Sequence, residues 1–278
     1  MAVALLEERT ATAREREAFD ALGAVMDPEL DEPVTDLGFV RSVDVLGAGA
    51  PATVVVHLRL PTSFCSPNFA YLMASDAKDA LRALPWAEHV VVELDDHHDS
   101  DLINAGLAAD AGYKGTFRHE AEHDLAELRE TFRRKAHTAA MERCLTALLR
   151  AEPTRGVESL ADVTLADLPA GRYTDALLRR RGALGLPADA VVDPDARVMV
   201  DHTGAGCAPA DAGLLLRKAR ATRVSIDGNA HFCRGLLRTR YDGSGADQVE
   251  RSDGAEPADA RYARALPLTV IRSGKDTP

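Results

Sequence analysis

The groups in this chain that could hold a metal or attack an electrophile are its four cysteines, nine histidines and many carboxylates. Cys65 stands out among them. It sits in Leu60-Pro61-Thr62-Ser63-Phe64-Cys65-Ser66-Pro67, between an alternating apolar run and a helical one. A thiol at a helix N-terminus meets the positive end of the helix dipole, which favours its thiolate. Upstream, Asp27-Pro28-Glu29-Leu30-Asp31-Glu32-Pro33 packs four carboxylates into seven residues. That stretch reads either as a solvated acidic loop or as a cluster facing a metal or a thiol. A soft thiolate such as that of Cys65 suits iron–sulfur species, and a carboxylate suits ferrous iron.

Three further groups compete for the same chemistry. Asp95-Asp96-His97-His98-Asp99-Ser100-Asp101 sets His97 and His98 among aspartates that could bind a divalent ion. Adjacent residues on an extended chain point apart, so at most half of them could meet one ion. His119-Glu120-Ala121-Glu122-His123 matches HExxH, with Glu127 one turn on. In metalloproteases that spacing binds zinc, with the glutamate as base. Here Leu125, Leu128 and Phe132 take the opposite side of the helix, so His119, His123 and Glu127 face solvent or a partner. Farther on, His202 with Cys207, and His231 with Cys233, each follow strand-like segments. If they converged they would form a His₂Cys₂ set for zinc, although the spacing is not that of a known finger.

These residues need elements to position them. Phe19, Leu22, Val25 and Met26 share one face of a helix over about 5–26, which Pro28 ends. A strand follows at 39–45, then a Gly/Ala/Pro turn at 47–51. The alternation of Val54, Val56, Leu58 and Leu60 predicts a strand over 53–60. Ser66 as N-cap and Pro67 as first residue predict a helix to about Leu84. His89 to Leu94 reads as a third strand. The order helix, strand, strand, helix, strand implies an α+β domain of two layers, with helices on one face of a small sheet. Beyond it, 104–117 reads as a glycine-rich loop and 119–151 as a long helix. Next come a linker at 152–156, a short helix at 173–181 and a strand-like run at 197–200. A helix over 211–221, a strand or turn at 223–228 and a last strand at 266–271 complete the pattern. The sequence divides at 15–96, 97–152 and 153–278, and 242–263 is poor in large apolar residues and reads as mobile.

Composition narrows the function. A net charge of −11, from 33 basic and 44 acidic residues, argues against a nucleic-acid partner. No apolar stretch is long enough to span a membrane, and Met1 to Thr10 carries no basic start or apolar core of a secretory signal. A cytoplasmic protein is expected, its cysteines free thiols or ligands and not disulfides.

The span from about Phe19 to Leu94 resembles the SufT/PaaD-type family of iron–sulfur cluster assembly proteins. The likeness rests on Asp27-Pro28-Glu29-Leu30, on Thr35-Asp36-Leu37-Gly38 leading into Phe39-Val40, on Leu60-Pro61-Thr62, and on Cys65-Ser66-Pro67 before a helix. Here Pro61 precedes the threonine, and Ser66 separates Cys65 from Pro67. The resemblance implies an accessory, non-enzymatic maturation factor that handles iron or a transient iron–sulfur cluster. In that role Cys65 is the transfer thiol, with Asp27, Glu29 and Thr62 beside it. Longer chains of this kind resemble those that accompany di-iron propane-type monooxygenases. That likeness implies a client metalloenzyme, with a chaperonin as a further partner. One cysteine cannot complete a cluster, so a homodimer or a partner's ligands are expected. Two other readings remain: a zinc metallohydrolase built on 119–123, and a metal-free scaffold that holds an enzyme subunit.

Overall fold

The computed structural model describes residues 13–47, 51–117 and 125–251. A helix over residues 13–22 (α1) stops short of the expected Met26, because the chain turns there to bring Val25 and Leu30 into the core. Two short strands, β1 (Met26–Asp27) and β2 (Glu32–Pro33), then pair antiparallel. The acidic stretch is therefore a tight hairpin and not a solvated loop. One carboxylate oxygen of Asp27 accepts the amides of Glu29 and Leu30, both at 2.9 Å, which is an Asx turn. Asp31 takes φ 54° at the corner.

The main sheet has three strands, β3 (Val40–Leu46), β4 (Ala52–Arg59) and β5 (Ala87–Asp95), in the order β3-β4-β5. β3 and β4 are antiparallel, and β4 and β5 are parallel. The helix α2 (Pro67–Arg82) makes the crossover that a parallel pair requires. The alternation in β4 works as expected: Val54, Val56 and Leu58 all face a core that also holds Ala18, Leu22, Ala70 and Leu81. Ser66 stands at the N-cap of α2 but makes no side-chain cap bond; its carbonyl accepts the amides of Phe69 and Ala70.

Residues 104–117 depart from the expected loop. They belong to two helices, α3 (Ser100–Ala108) and α4 (Gly112–Phe117). Gly106 is needed for packing here: a Cβ on it would lie 2.0 Å from the Thr116 hydroxyl. Tyr71, Tyr113 and Phe117 then meet with ring centroids 5.0–5.8 Å apart.

The rest of the described residues are mainly helical, with turns and loops between the helices. They hold α5 (Leu125–Ala151), 3₁₀ turns at Val157–Asp162 and Leu165–Asp167, α6 (Arg172–Gly182) and α7 (Pro209–Arg240). The strand-like 197–200 makes only isolated bridges, Thr164 to Arg197 and Val200 to Gly206. The helix at 211–221 and the strand or turn at 223–228 are one helix. Its first half packs Ala212 and Ala219 into a second core with Leu145, Leu160, Leu177 and Met199. Its second half gives Ala230 and Leu237 to the sheet core. Residues 244–251 lack large apolar side chains yet are tied down. Ser244–Asp247 is a 3₁₀ turn, the Val249 amide donates to the Asp36 carbonyl, and Arg251 pairs with Asp31 at 2.9 Å. The strand expected at 266–271 lies outside the described residues. Among the described residues no helix is long and apolar enough to cross a membrane.

Candidate functional site at the Cys65 turn

The turn that carries Cys65 is held from several sides. The Thr62 hydroxyl accepts the Phe64 amide at 3.2 Å. The Ser63 carbonyl accepts the His98 amide at 2.9 Å. Nε2 of the buried His97 lies 2.8 Å from the Cys65 carbonyl, and its Nδ1 accepts the Asp99 amide at 3.1 Å. The second bond puts the ring proton on Nε2, so Nε2 donates to Cys65. Both nitrogens are thereby engaged, and His97 supports the turn instead of ligating a metal. His98 lies by the ring of Phe64, at 5.9 Å between centroids, and Phe64 is 81% exposed beside the thiol.

The opposite wall is α7. Asn229 donates to a Glu29 carboxylate oxygen at 3.2 Å, which seats the helix against the acidic hairpin. Cys233 lies one turn later on the same face. Farther along, Leu237 is fully buried, and Arg240 donates to the Leu60 carbonyl at 3.0 Å and the Ser63 hydroxyl at 2.9 Å. Arg234 closes the other flank, pairing with Glu32 and donating to the Asp36 carbonyl at 3.0 Å. Gly38 turns at φ +75° beneath this contact, where a Cβ would meet Gln248 at 3.1 Å and Leu237 at 3.4 Å.

Cys65 and Cys233 thus pack against one core, with Asp27 and Glu29 close enough to act on both thiols. Their titration reflects the enclosure. Burial pushes the Cys65 thiol up to about 12, helped by the charges of Asp27, Cys233 and Glu29, with the Ser66 amide opposing weakly. Burial, Asp27 and Glu29 push Cys233 up to about 11. Burial also raises Asp27 to about 7, against the two amides that its carboxylate accepts. The helix end was expected to favour a thiolate at Cys65; desolvation and neighbouring acids outweigh it. Both groups are thiols at neutral pH and poor nucleophiles. Burial holds Cys65, Cys233 and Asp27 neutral, and the acidic hairpin adds to that preference at both thiols.

The remaining candidates do not join this site. His231 is exposed on α7. Cys207 and the exposed His202 precede the start of α7 at Pro209, while Cys233 is near its far end. At about 1.5 Å per residue the two cysteines stand more than about 30 Å apart, so the His₂Cys₂ set does not form. Glu127 is exposed in the first turn of α5, and His119 and His123 lie outside the described residues. Among the described residues no three His, Cys, Asp or Glu side chains come together closely enough to hold a metal ion.

The sequence groups Cys233 with His231, His202 and Cys207, and not with Cys65. A signal for its true place does exist: Ile226, Ala230, Cys233 and Leu237 repeat at helical spacing, and Ile226, Ala230 and Leu237 are buried. Gly228, Gly235 and the run Arg223-Val224-Ser225-Ile226 disguised it.

Comparison with known proteins bears on the first half of the site. The family model described as iron–sulfur cluster assembly protein matches residues 15–94, which include Asp27, Glu29, Thr62 and Cys65 but not Cys233. A crystal structure of a domain of unknown function, DUF59, from Bacillus anthracis is 21% identical, covering 38% of this chain and 98% of its own, with a TM-score of 0.29. No curated protein matches the chain.

Proposed function

We propose that this protein is an accessory maturation factor that takes up iron or an iron–sulfur cluster transiently at Cys65 and passes it to a client metalloenzyme, without turning over an organic substrate. The observation that carries this reading is that Cys65 and Cys233 pack against one core near the acidic hairpin, although no three donors among the described residues meet closely enough to hold an ion unaided. The match of residues 15–94 to iron–sulfur cluster assembly proteins supports it. Thiolates suit iron–sulfur species, and carboxylates suit ferrous iron.

An incoming iron displaces one proton from each thiol as each Fe–S bond forms, so loading releases protons. Asp27, whose carboxyl burial pushes up to about 7, takes up one of them. The donors in one chain are too few to complete a cluster, and a second copy of the chain or the client supplies the rest. Release follows when client ligands replace the two thiolates and the thiols take protons back. The client we favour is a di-iron monooxygenase of the propane-oxidising type, on the likeness of this longer chain to those that accompany such enzymes.

The test is anaerobic incubation with ferrous iron and sulfide, desalting, and metal analysis of wild type, Cys65→Ser and Cys233→Ser. Wild type retains iron, Cys65→Ser retains none, and Cys233→Ser retains less. Iron retained equally by wild type and Cys65→Ser overturns the proposal.

A further inference from the structure

A cavity of about 520 Å³ opens on the far side of the acidic hairpin, between β1, β2, α2, α5 and α6. Its size is that of an ordinary small-molecule site. Five arginines line it together with five acids, Asp27, Asp31, Glu32, Asp36 and Asp76. Three are pinned by acids of the same walls. Arg129 holds Asp76 in a two-pronged pair at 2.6 and 2.7 Å, and Arg180 and Arg251 share Asp31 at 2.7 and 2.9 Å. The other two, Arg133 from α5 and Arg179 from α6, have no acidic partner among the described residues. Met26, Leu72 and Phe132 supply an apolar wall. Phe132 is fixed edge-on to Phe69 at 5.0 Å between centroids.

We infer that this cavity binds a small organic oxyanion, a carboxylate or a phosphate ester with an apolar body, through Arg133 and Arg179. A guanidinium fork matches the oxygens of either group. A guanidinium from each of two helices, neither held in an ion pair with a described acid, can turn to one anion. The three paired arginines fix the walls, so little ordering is needed on binding. Asp27 lines this cavity as well as facing the thiols, so the hairpin is a partition between two sites of opposite preference.

Calorimetric titration of the full chain with phenyl phosphate and phenylacetate separates the two oxyanion sources, with benzyl alcohol as the uncharged control. One or both oxyanions bind saturably, and the alcohol does not. In Arg133→Ala/Arg179→Ala, whose residues are exposed and whose fold is checked by circular dichroism, affinity falls at least tenfold. Cys65→Ser binds as wild type does, which keeps this site separate from iron handling. Absence of saturable oxyanion binding, equal binding by the alcohol, or undiminished binding by the double variant overturns the inference.

Discussion

The two walls of the Cys65 site are held by different forces. The wall from residues 15–94 is local: an Asx turn, a three-stranded sheet and a helix that starts next to the thiol. The α7 wall comes from distant sequence and is fastened by arginines. Arg234 reaches Glu32, and Arg240 reaches the Cys65 turn. Upstream on the same helix, Arg223 reaches Glu142 and Asp227, while Asp227 pairs with Arg143 of α5 at 2.6 Å. The first wall can form with its own core, whereas the second depends on charges meeting partners already in place. A sheet domain with one buried thiol can therefore be given a second by an added helix without any change to its sheet.

The sharpest way to break this contrast is Arg234→Ala. Glu32 is 2% exposed, and the change takes Arg234 away from it while Arg251 stays at 3.9 Å. Removing one partner of a buried pair costs about 3–5 kcal/mol. Amide exchange should quicken along the second half of α7 and stay slow in β4; equal loosening of both would erase the distinction.

Next in size is the pH response of Asp27. Its folded carboxyl titrates near 7 against 3.8, so the folded state keeps a proton that the unfolded chain has already released. Stability from this group is complete below about pH 4 and is lost as pH rises to about 7, by up to about 4 kcal/mol. Asn at this position can still accept the Glu29 and Leu30 amides. Asp27→Asn should therefore match wild type in acid and exceed it at pH 8 in denaturant titrations. Parallel pH curves for the two proteins would show that Asp27 is not held protonated.

Gly106→Ala tests packing next to the sheet domain. The new methyl would run into Thr116, and the cost should be about 2 kcal/mol by thermal unfolding. The smallest effect is that of Ser66→Ala. A working N-cap serine is worth about 1 kcal/mol, but Ser66 makes no such bond, so the loss should stay below about 0.5 kcal/mol.

Legibility in the sequence followed the same division. β3, β4, α2 and β5 were readable because one face of each is buried, and period 2 or 3.6 shows directly in Val54-Val56-Leu58 or Leu72-Met73-Leu81. The hairpin was harder: four acids suggested solvent, and nothing local revealed that Glu32 would find Arg234. Glycines misled twice. Those in 104–117 suggested a loop where Gly106 permits two helices to touch, and Gly228 split α7 although its packing and ion pairs override the weak propensity. Cys65 was legible from its turn, while its partner Cys233 was not, because their meeting depends on how the whole second half folds back.

That fold-back also has a schedule. Asn229 is made 200 residues after the Glu29 it contacts. At synthesis rates of about 5–20 residues per second, roughly 10–40 s separate them on the ribosome. Through that interval the sheet domain can emerge with Cys65 present and Cys233 still unmade. Until Cys233 follows, Cys65 stands without the second thiol of its core.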